Sequence, residues 1–375
     1  MGIFSSVRSQ WNNVRCFRSL FPLHRLAFHQ ATLVRDLWRG DGWASPPLVV
    51  NLLLTSRCNL NCAMCSVQDF RKRRYQELTV QEIGDLARQG REIGATFYMG
   101  GGEPFVRTDL LDLVAAVKSY GRPLGMVTNG LGLKPEAGRE LHRLGLDHLM
   151  VSLHGPEEVH DRIVGVPGSF RKVSENVRDF CAIPGRRTTV VLNFVLSRDN
   201  IESLPRFVTM GKALGVDRVR VEHLLYLTEE DIRRHDAWCE THLPSHLKDR
   251  FHASSFLCQA DIVNGMAERL PAVLDRVKRD HGDFVILKPY LGPSDFRRWY
   301  GGEGLGAGRP CLFVWRALFV EPDGSVIPCQ HYGQMVMGNV REQSLLEIWN
   351  RPEYREMRRV VRHGDLPACT RCCKI

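Results

Sequence analysis

From Leu48 to Tyr226 the chain alternates short apolar runs with amphipathic stretches, and that alternation predicts its elements. The runs "LVVNLLLT" (48–55), "ATFYMGG" (95–101), "LGMVTN" (124–129), "HLMVSLHG" (148–155), "TTVVLNFVLS" (188–197) and "RVRVEHLLY" (218–226) are rich in β-branched or aromatic residues. Each is bounded by turn formers and predicts a strand. Between the first two, "LTVQEIGDLARQGREIG" sets Val80, Ile83, Leu86 and Ala87 on one helical face, and Thr79 with Glu82 forms a capping-box pattern at its start. "DLLDLVAAVKSYG" (109–121) and "SLPRFVTMGKALG" (203–215) predict further helices, each closed by a glycine. Strands alternating with helices predict a parallel sheet, either open and doubly wound or curled into part of a barrel.

The rhythm fades over residues 227–300, which predict helices and loops and supply the wall of a substrate cavity. His223 and Tyr226 just before this segment and His235 within it are the polar candidates, against a plainer structural role for each. A compact module begins at Cys311: "CLFVWRALFVEPDGSVIPCQ" places two apolar runs around Pro322-Asp323-Gly324, a hairpin pattern. "SLLEIWNRPEYREMRRVV" then predicts a helix interrupted near Pro352. The first 45 residues mix Arg8, Arg15, Arg18, Arg25, Arg35 and Arg39 with Trp11, Phe17, Leu20, Phe21, Leu23, Leu26 and Phe28. Such a basic amphipathic segment suits an anionic membrane surface, and its plainer reading is a helix packed on the barrel. "MGIFSS" fits a myristoylation pattern, too short a match to build on. The expected units are 1–45, 46–230, 231–305 and 306–375.

With 375 residues, 43% hydrophobic and 25% charged, the chain has ample material for buried cores. No apolar run approaches the roughly 20 residues that cross a bilayer, and no secretory signal pattern opens the chain. The net charge of +9 is spread along the sequence apart from "RKRR" (71–74), which reads as a solvated loop, so no nucleic-acid partner is expected. The chain is too large to need disulfide staples, and the expected compartment is the reducing cytoplasm, with room for peripheral membrane attachment. Of twelve cysteines, seven fall in ligand-like groupings, while Cys16, Cys181, Cys239, Cys258 and Cys373 read as isolated small hydrophobes.

"TSRCNLNCAMC" (55–65) puts Cys58, Cys62 and Cys65 directly after the first strand, at the end of the sheet where ligands of such folds bind. Three thiolates on a tight loop leave one corner of a [4Fe–4S] cube open for an outside ligand, whereas zinc needs a fourth donor from elsewhere. Cys311, Cys329, Cys369 and Cys372 offer four soft ligands, suited to zinc or to a closed cluster, with Cys373 as an alternative to Cys372.

Cys58-x3-Cys62-x2-Cys65 resembles the cluster motif of the radical S-adenosylmethionine (radical SAM) enzymes. "GGGEP" (100–104), "TNG" (128–130), "SLHG" (152–155) and "HDRIVGVPGSF" (160–170) are similar to segments of the same family. The resemblance covers roughly 48–226 and implies a partial (β/α)6 TIM-type barrel. It further implies S-adenosylmethionine contacts from Gly101, Gly102, Glu103 and Pro104 to the methionine amine, and from Ser152 and Asn193 to its carboxylate or the ribose. Met64 stands where the family usually has an aromatic residue near the adenine, a position a polarizable thioether also covers. The later cysteines, with "GNVREQSLLEIWN" (338–350), resemble the SPASM/twitch extension, which implies one auxiliary [4Fe–4S] cluster. The implied activity is reductive cleavage of S-adenosylmethionine to a 5′-deoxyadenosyl radical, then hydrogen abstraction from a small molecule, lipid or peptide. An external reductant such as flavodoxin or ferredoxin is the implied partner. Two rival readings are a non-catalytic iron–sulfur or zinc protein and an RNA-modifying member of the same family.

Overall fold

Every predicted apolar run becomes a strand: β1 (Val49–Leu53), β2 (Thr96–Gly100), β3 (Leu124–Thr128), β4 (His148–Ser152), β5 (Thr189–Leu196) and β6 (Arg218–His223). They pair in parallel in that order. The computed structural model describes residues 17, 19–21, 23–65, 67–249, 251, 263–301, 304–305, 308 and 310–372. "MGIFSS", Arg8, Trp11, Arg15, Cys16, Arg18, Cys258 and Cys373 lie outside the described residues.

Helices fill the connections. α1 (Leu23–Arg39) precedes the sheet; α2 (Gln68–Lys72) and α3 (Val80–Ile93) follow β1, and α4 (Leu110–Ser119) follows β2. α5 (Pro135–Arg143), the pair α6 (Glu157–Val164) and α7 (Ser169–Cys181), and α8 (Leu204–Ala213) follow β3, β4 and β5. The capping box forms: Thr79 N–H donates to Glu82 Oε2 at 2.7 Å and Glu82 N–H to Thr79 Oγ1 at 3.2 Å. Both predicted closing glycines, Gly121 and Gly215, carry the positive φ that residue type tolerates best.

Two features depart from the expectation of six strands and a separate C-terminal module. After α9 (Glu229–His242), α10 (Ser245–Lys248) and α11 (Met266–His281), the segment expected as helices and loops contributes β7 (Val285–Lys288), parallel to β6, before α12 (Pro293–Tyr300). The hairpin forms as β8 (Ala317–Val320) and β9 (Ser325–Ile327), but β8 adds in parallel to β1, so the C-terminal module continues the barrel sheet. With β10 (Gly338–Asn339) the result is one ten-stranded sheet ordered β10-β9-β8-β1-β2-β3-β4-β5-β6-β7. The unpaired β1 edge is thereby covered, which removes an exposed edge strand.

The predicted helix broken at Pro352 appears as α13 (Leu345–Trp349) and α14 (Pro352–Val361). Arg358 of α14 is completely buried. Its guanidinium donates to the carbonyls of Val314 (2.9 Å), Gly42 (3.0 Å) and Trp349 (2.9 Å) and stacks on Trp349 and Tyr354. A buried cation is tolerated only with such full pairing, and these bonds lock the C-terminal helices to the 41–45 linker. Among the described residues, no helix is long and apolar enough to cross a membrane.

Candidate active site

The cysteine loop leaves the carboxyl end of β1 and is held from below by the glycine tail of β2. Leu54 N–H donates to Gly100 O (2.9 Å), Gly102 N–H to Thr55 O (2.7 Å) and Glu103 N–H to Arg57 O (2.9 Å). Gly101 has φ +124°, and a Cβ on Gly102 would stand 2.0 Å from Arg57 O. The close approach expected of these glycines is therefore, in the first place, to the loop backbone. Glu103 is buried and its carboxylate accepts from Phe105 N–H (3.1 Å), Thr128 Oγ1 (2.7 Å) and Asn129 N–H (2.7 Å). Those bonds tie the end of β2 to "TNG" after β3. Burial pushes the Glu103 carboxyl up, opposed by these three donors. Pro104 is buried and opens a short 3-10 turn.

Within the loop, Ala63 N–H donates to Ile163 O at 3.0 Å, and Leu60 and Met64 pack on the apolar side of α6 with Cys58 and Cys62. Ser56 Oγ closes the loop onto Arg73 O at 2.7 Å, and Asn129 Nδ2 reaches Asn59 Oδ1 at 2.7 Å. "RKRR" is solvated over Lys72, Arg73 and Arg74, as expected, while Arg71 turns in towards the loop. The Arg71 guanidinium donates to Leu60 O inside the loop, its Nε is buried without a partner, and Arg73 lies 3.7 Å from Glu321. Sequence reasoning missed Arg71; its place six residues after Cys65, within reach of the loop it closes, was the available signal.

Cys58, Cys62 and Cys65 are free and partly exposed. Burial pushes the Cys62 thiol up to about 11, aided by the neighbouring thiolates, and raises Cys58 as well, while Arg71 pulls both down. Among the described residues no three His, Cys, Asp or Glu side chains converge on one ion-sized point. Cys58 and Cys62 pack together beside α6 and both lie near Cys65, and three neighbouring soft donors fit a [4Fe–4S] cube, one sulfur to an iron.

Ser152 and Asn193 are register partners on β4 and β5, and Asn193 pairs in turn with Arg220 of β6. Register partners share a face, so all three project into the barrel. Asn193 is buried and its Oδ1 has no partner, an acceptor waiting for a donor. One step toward the carboxyl ends, Glu222 lies 3.0 Å from Arg220 and pairs in register with Lys288 of β7. The same alternation turns His223 outward. Its Nδ1 meets Tyr300 Oη at 2.6 Å among Phe296 and Trp299. Tyr226 donates to Trp299 O (2.6 Å), and His235 Nε2 lies 2.6 Å from Phe251 O. All three are buried in the helical layer, in the structural role that was the plainer reading of each.

The four later cysteines do come together. Cys311, Cys329, Cys369 and Cys372 line one small apolar cavity closed by Tyr332 and Met357. Tyr332 Oη stands 3.9 Å from Cys369 Sγ, and burial drives the Cys369 thiol far up. Four soft donors around an enclosed apolar space fit a closed cluster. Cys239 is buried 3.6 Å from His235 Nε2, and Cys181 is partly buried, its thiol pushed up to about 11 by that burial.

A parallel partial barrel with a three-thiol loop beyond its first strand and a four-thiol pocket beside it defines an iron–sulfur enzyme of the barrel class. Comparison with known proteins agrees: the radical SAM superfamily profile matches residues 52–210, and an iron-sulfur cluster-binding domain, SPASM, matches 311–373. The chain belongs to the radical SAM superfamily, with a C-terminal SPASM domain, and its cofactors are [4Fe–4S] clusters and S-adenosylmethionine. The PqqA peptide cyclase of Xanthomonas euvesicatoria pv. vesicatoria is 28% identical over 321 residues, spanning 83% of this chain and 76% of its own. That of Gluconobacter oxydans is 28% identical over 315 residues, spanning 82% and 77%. Streptococcus suis SuiB, solved with S-adenosylmethionine, superposes with a TM-score of 0.62 at 16% identity, covering 90% of this chain and 73% of that one, a likeness of fold.

Proposed function

We propose that this enzyme modifies a peptide, joining two of its atoms by a new bond after hydrogen abstraction inside the barrel. When bound, the loop cluster supplies the electron that cleaves S-adenosylmethionine, and the 5′-deoxyadenosyl radical so formed takes the hydrogen atom. The chain's own work is orientation. The ammonium of the methionine is a donor only, so it falls to backbone acceptors, the carbonyls of Gly101 and Gly102, while the N–H groups of Gly102 and Glu103 hold the loop. The unpartnered Asn193 Oδ1 accepts from a ribose hydroxyl, Ser152 beside it donates to the carboxylate, and Met64 covers the adenine.

The observation that carries the substrate class is the charged interior row of Arg220, Glu222 and Lys288. Arg220 and Glu222 pair at 3.0 Å, so the row is a paired polar wall, and a polar guest fits against it. An amide chain is such a guest; a hydrocarbon is not. The cyclase activity named for the two relatives is of the same class. The net reaction removes two hydrogens from the peptide: one leaves in 5′-deoxyadenosine and the other as a proton. A cluster held by Cys311, Cys329, Cys369 and Cys372 would take up the remaining electron and pass it to the oxidised form of the external electron carrier. The test is anaerobic turnover with peptides encoded beside the gene, read by mass spectrometry. A peptide lighter by two hydrogens supports the reading; turnover of a lipid extract with every peptide unchanged refutes it.

A further inference from the structure

The face of α1 that points away from the barrel stands open to solvent among the described residues. Among the described residues, five large hydrophobic side chains are exposed, and three stand on this helix: Phe28 (66% exposed), Val34 (55%) and Trp38 (85%). Residues four apart share a helical face, and Ala27, Ala31 and Arg35 complete the stripe with them. The opposite face is anchored at the amino ends of the strands. Arg25 donates to Gly94 O (2.6 Å), Gln30 accepts from Arg316 (2.7 Å), and Asp36 accepts from Ser45 N–H (2.6 Å). Just before the helix, Phe17 packs against Tyr98 and His148.

The charges on α1 are distributed as unevenly as its apolar groups. Its one acid, Asp36, is buried and pairs with Arg35 at 3.1 Å, and Arg39 pairs with Asp41 at 3.2 Å, yet Arg35 and Arg39 still keep 58% and 48% of their side chains in solvent. Arg39 also stacks on Trp43. An apolar stripe edged by arginines, with no fully exposed carboxylate on the helix itself, matches an anionic lipid surface: the rings enter the acyl boundary and the solvent-facing sides of the guanidinium groups meet headgroup phosphates. Two copies of the same basic face repel each other, which argues against self-association as its use.

We propose that α1 is a membrane-docking helix that holds the enzyme on an anionic bilayer, with Phe28, Val34 and Trp38 inserted. Because α1 sits at the amino ends of the strands and the cysteine loop at their carboxyl ends, the docked barrel opens away from the lipid. Its substrate then arrives from the aqueous side. The docking claim is independent of the substrate proposed above, since α1 touches none of the cysteine loop.

The test is flotation of the full-length holoenzyme with phosphatidylcholine vesicles, with and without phosphatidylglycerol. The wild type is expected to float only with the anionic vesicles and to detach as salt rises. Phe28→Ser with Trp38→Ser should lower the partition coefficient at least about tenfold. Arg35→Gln with Arg39→Gln should lower it several-fold, with iron content and far-UV circular dichroism unchanged in both variants. A wild type that stays at the bottom of the gradient with anionic vesicles overturns the proposal. So does a concentration-dependent dimer that the Phe28/Trp38 pair dissolves, which would assign the face to a second copy.

Discussion

A single methyl group at residue 102 should dismantle the cysteine loop, and a methyl group at residue 84 should not. A Cβ on Gly102 would lie 2.0 Å from Arg57 O, 2.6 Å from Arg57 C and 2.8 Å from Ser56 O, all backbone atoms that no rotamer change can move. Relief requires the two chain segments to part by about 1 Å or more to restore ordinary contact. That movement breaks the bonds from Gly102 to Thr55 (2.7 Å) and from Glu103 to Arg57 (2.9 Å). At about 1 kcal/mol net per bond, with overpacking strain of similar size, Gly102→Ala should cost roughly 2–4 kcal/mol. Gly84, on α3, has nothing within 4 Å of its would-be Cβ, so Gly84→Ala should stabilise by about 0.5–1 kcal/mol through helix propensity. The assay is a urea midpoint for each variant together with iron retained after anaerobic reconstitution and desalting. Gly102→Ala should lose both stability and the loop's share of iron while keeping the auxiliary share. A Gly102→Ala protein with wild-type midpoint and iron would refute the reasoning.

Three further substitutions probe separate parts of the account. Asn193→Ala should weaken S-adenosylmethionine binding by about tenfold, the worth of one buried hydrogen bond to the ligand, in isothermal titration. Its stability should barely change, because the lost Oδ1 has no partner in the folded chain. Cys369→Ala should roughly halve the iron, from about eight to about four per chain, and leave S-adenosylmethionine cleavage by dithionite in place. For pH, the fully buried His223 has its pKa pushed down to about 3 by burial. Below pH 6.5 the unfolded chain takes up a proton that the folded chain refuses, so stability is complete above that pH and falls as acid is added. Between pH 7.5 and 5.5 this one residue should cost about 1.4 kcal/mol, and His223→Gln should flatten the urea midpoint's pH dependence by that amount.

The barrel was legible because its signals are local. Runs such as "LVVNLLLT" bounded by turn formers report strands, and Thr79 with Glu82 reports a helix start, without knowledge of any distant residue. β7 escaped because "VILK" is only four residues long and ends in a buried lysine, too short an apolar run to stand out even between the turn formers Gly282-Asp283 and Pro289. The attachment of β8 to β1 joins Ala317–Val320 to Val49–Val50–Asn51–Leu52, a pairing that no local pattern encodes. The cysteines were legible by spacing, and the four later ones do share a cavity. The structural reading of His223 was legible too: in "RVRVEH" the period of two groups it with Val219 and Val221, on the face opposite Arg220 and Glu222. The partners of Glu103 and Arg71 were not legible, because a carboxylate's or guanidinium's choice of neighbour depends on loops that meet only in three dimensions.

The central claim is that Cys58, Cys62 and Cys65 hold the cluster that activates S-adenosylmethionine. Dithionite-driven release of 5′-deoxyadenosine, measured anaerobically for the wild type and for the triple Cys58→Ala, Cys62→Ala, Cys65→Ala variant, tests it most directly. Release by the wild type alone, with the variant keeping only its auxiliary iron, is the predicted result. Equal release by both proteins would contradict the account.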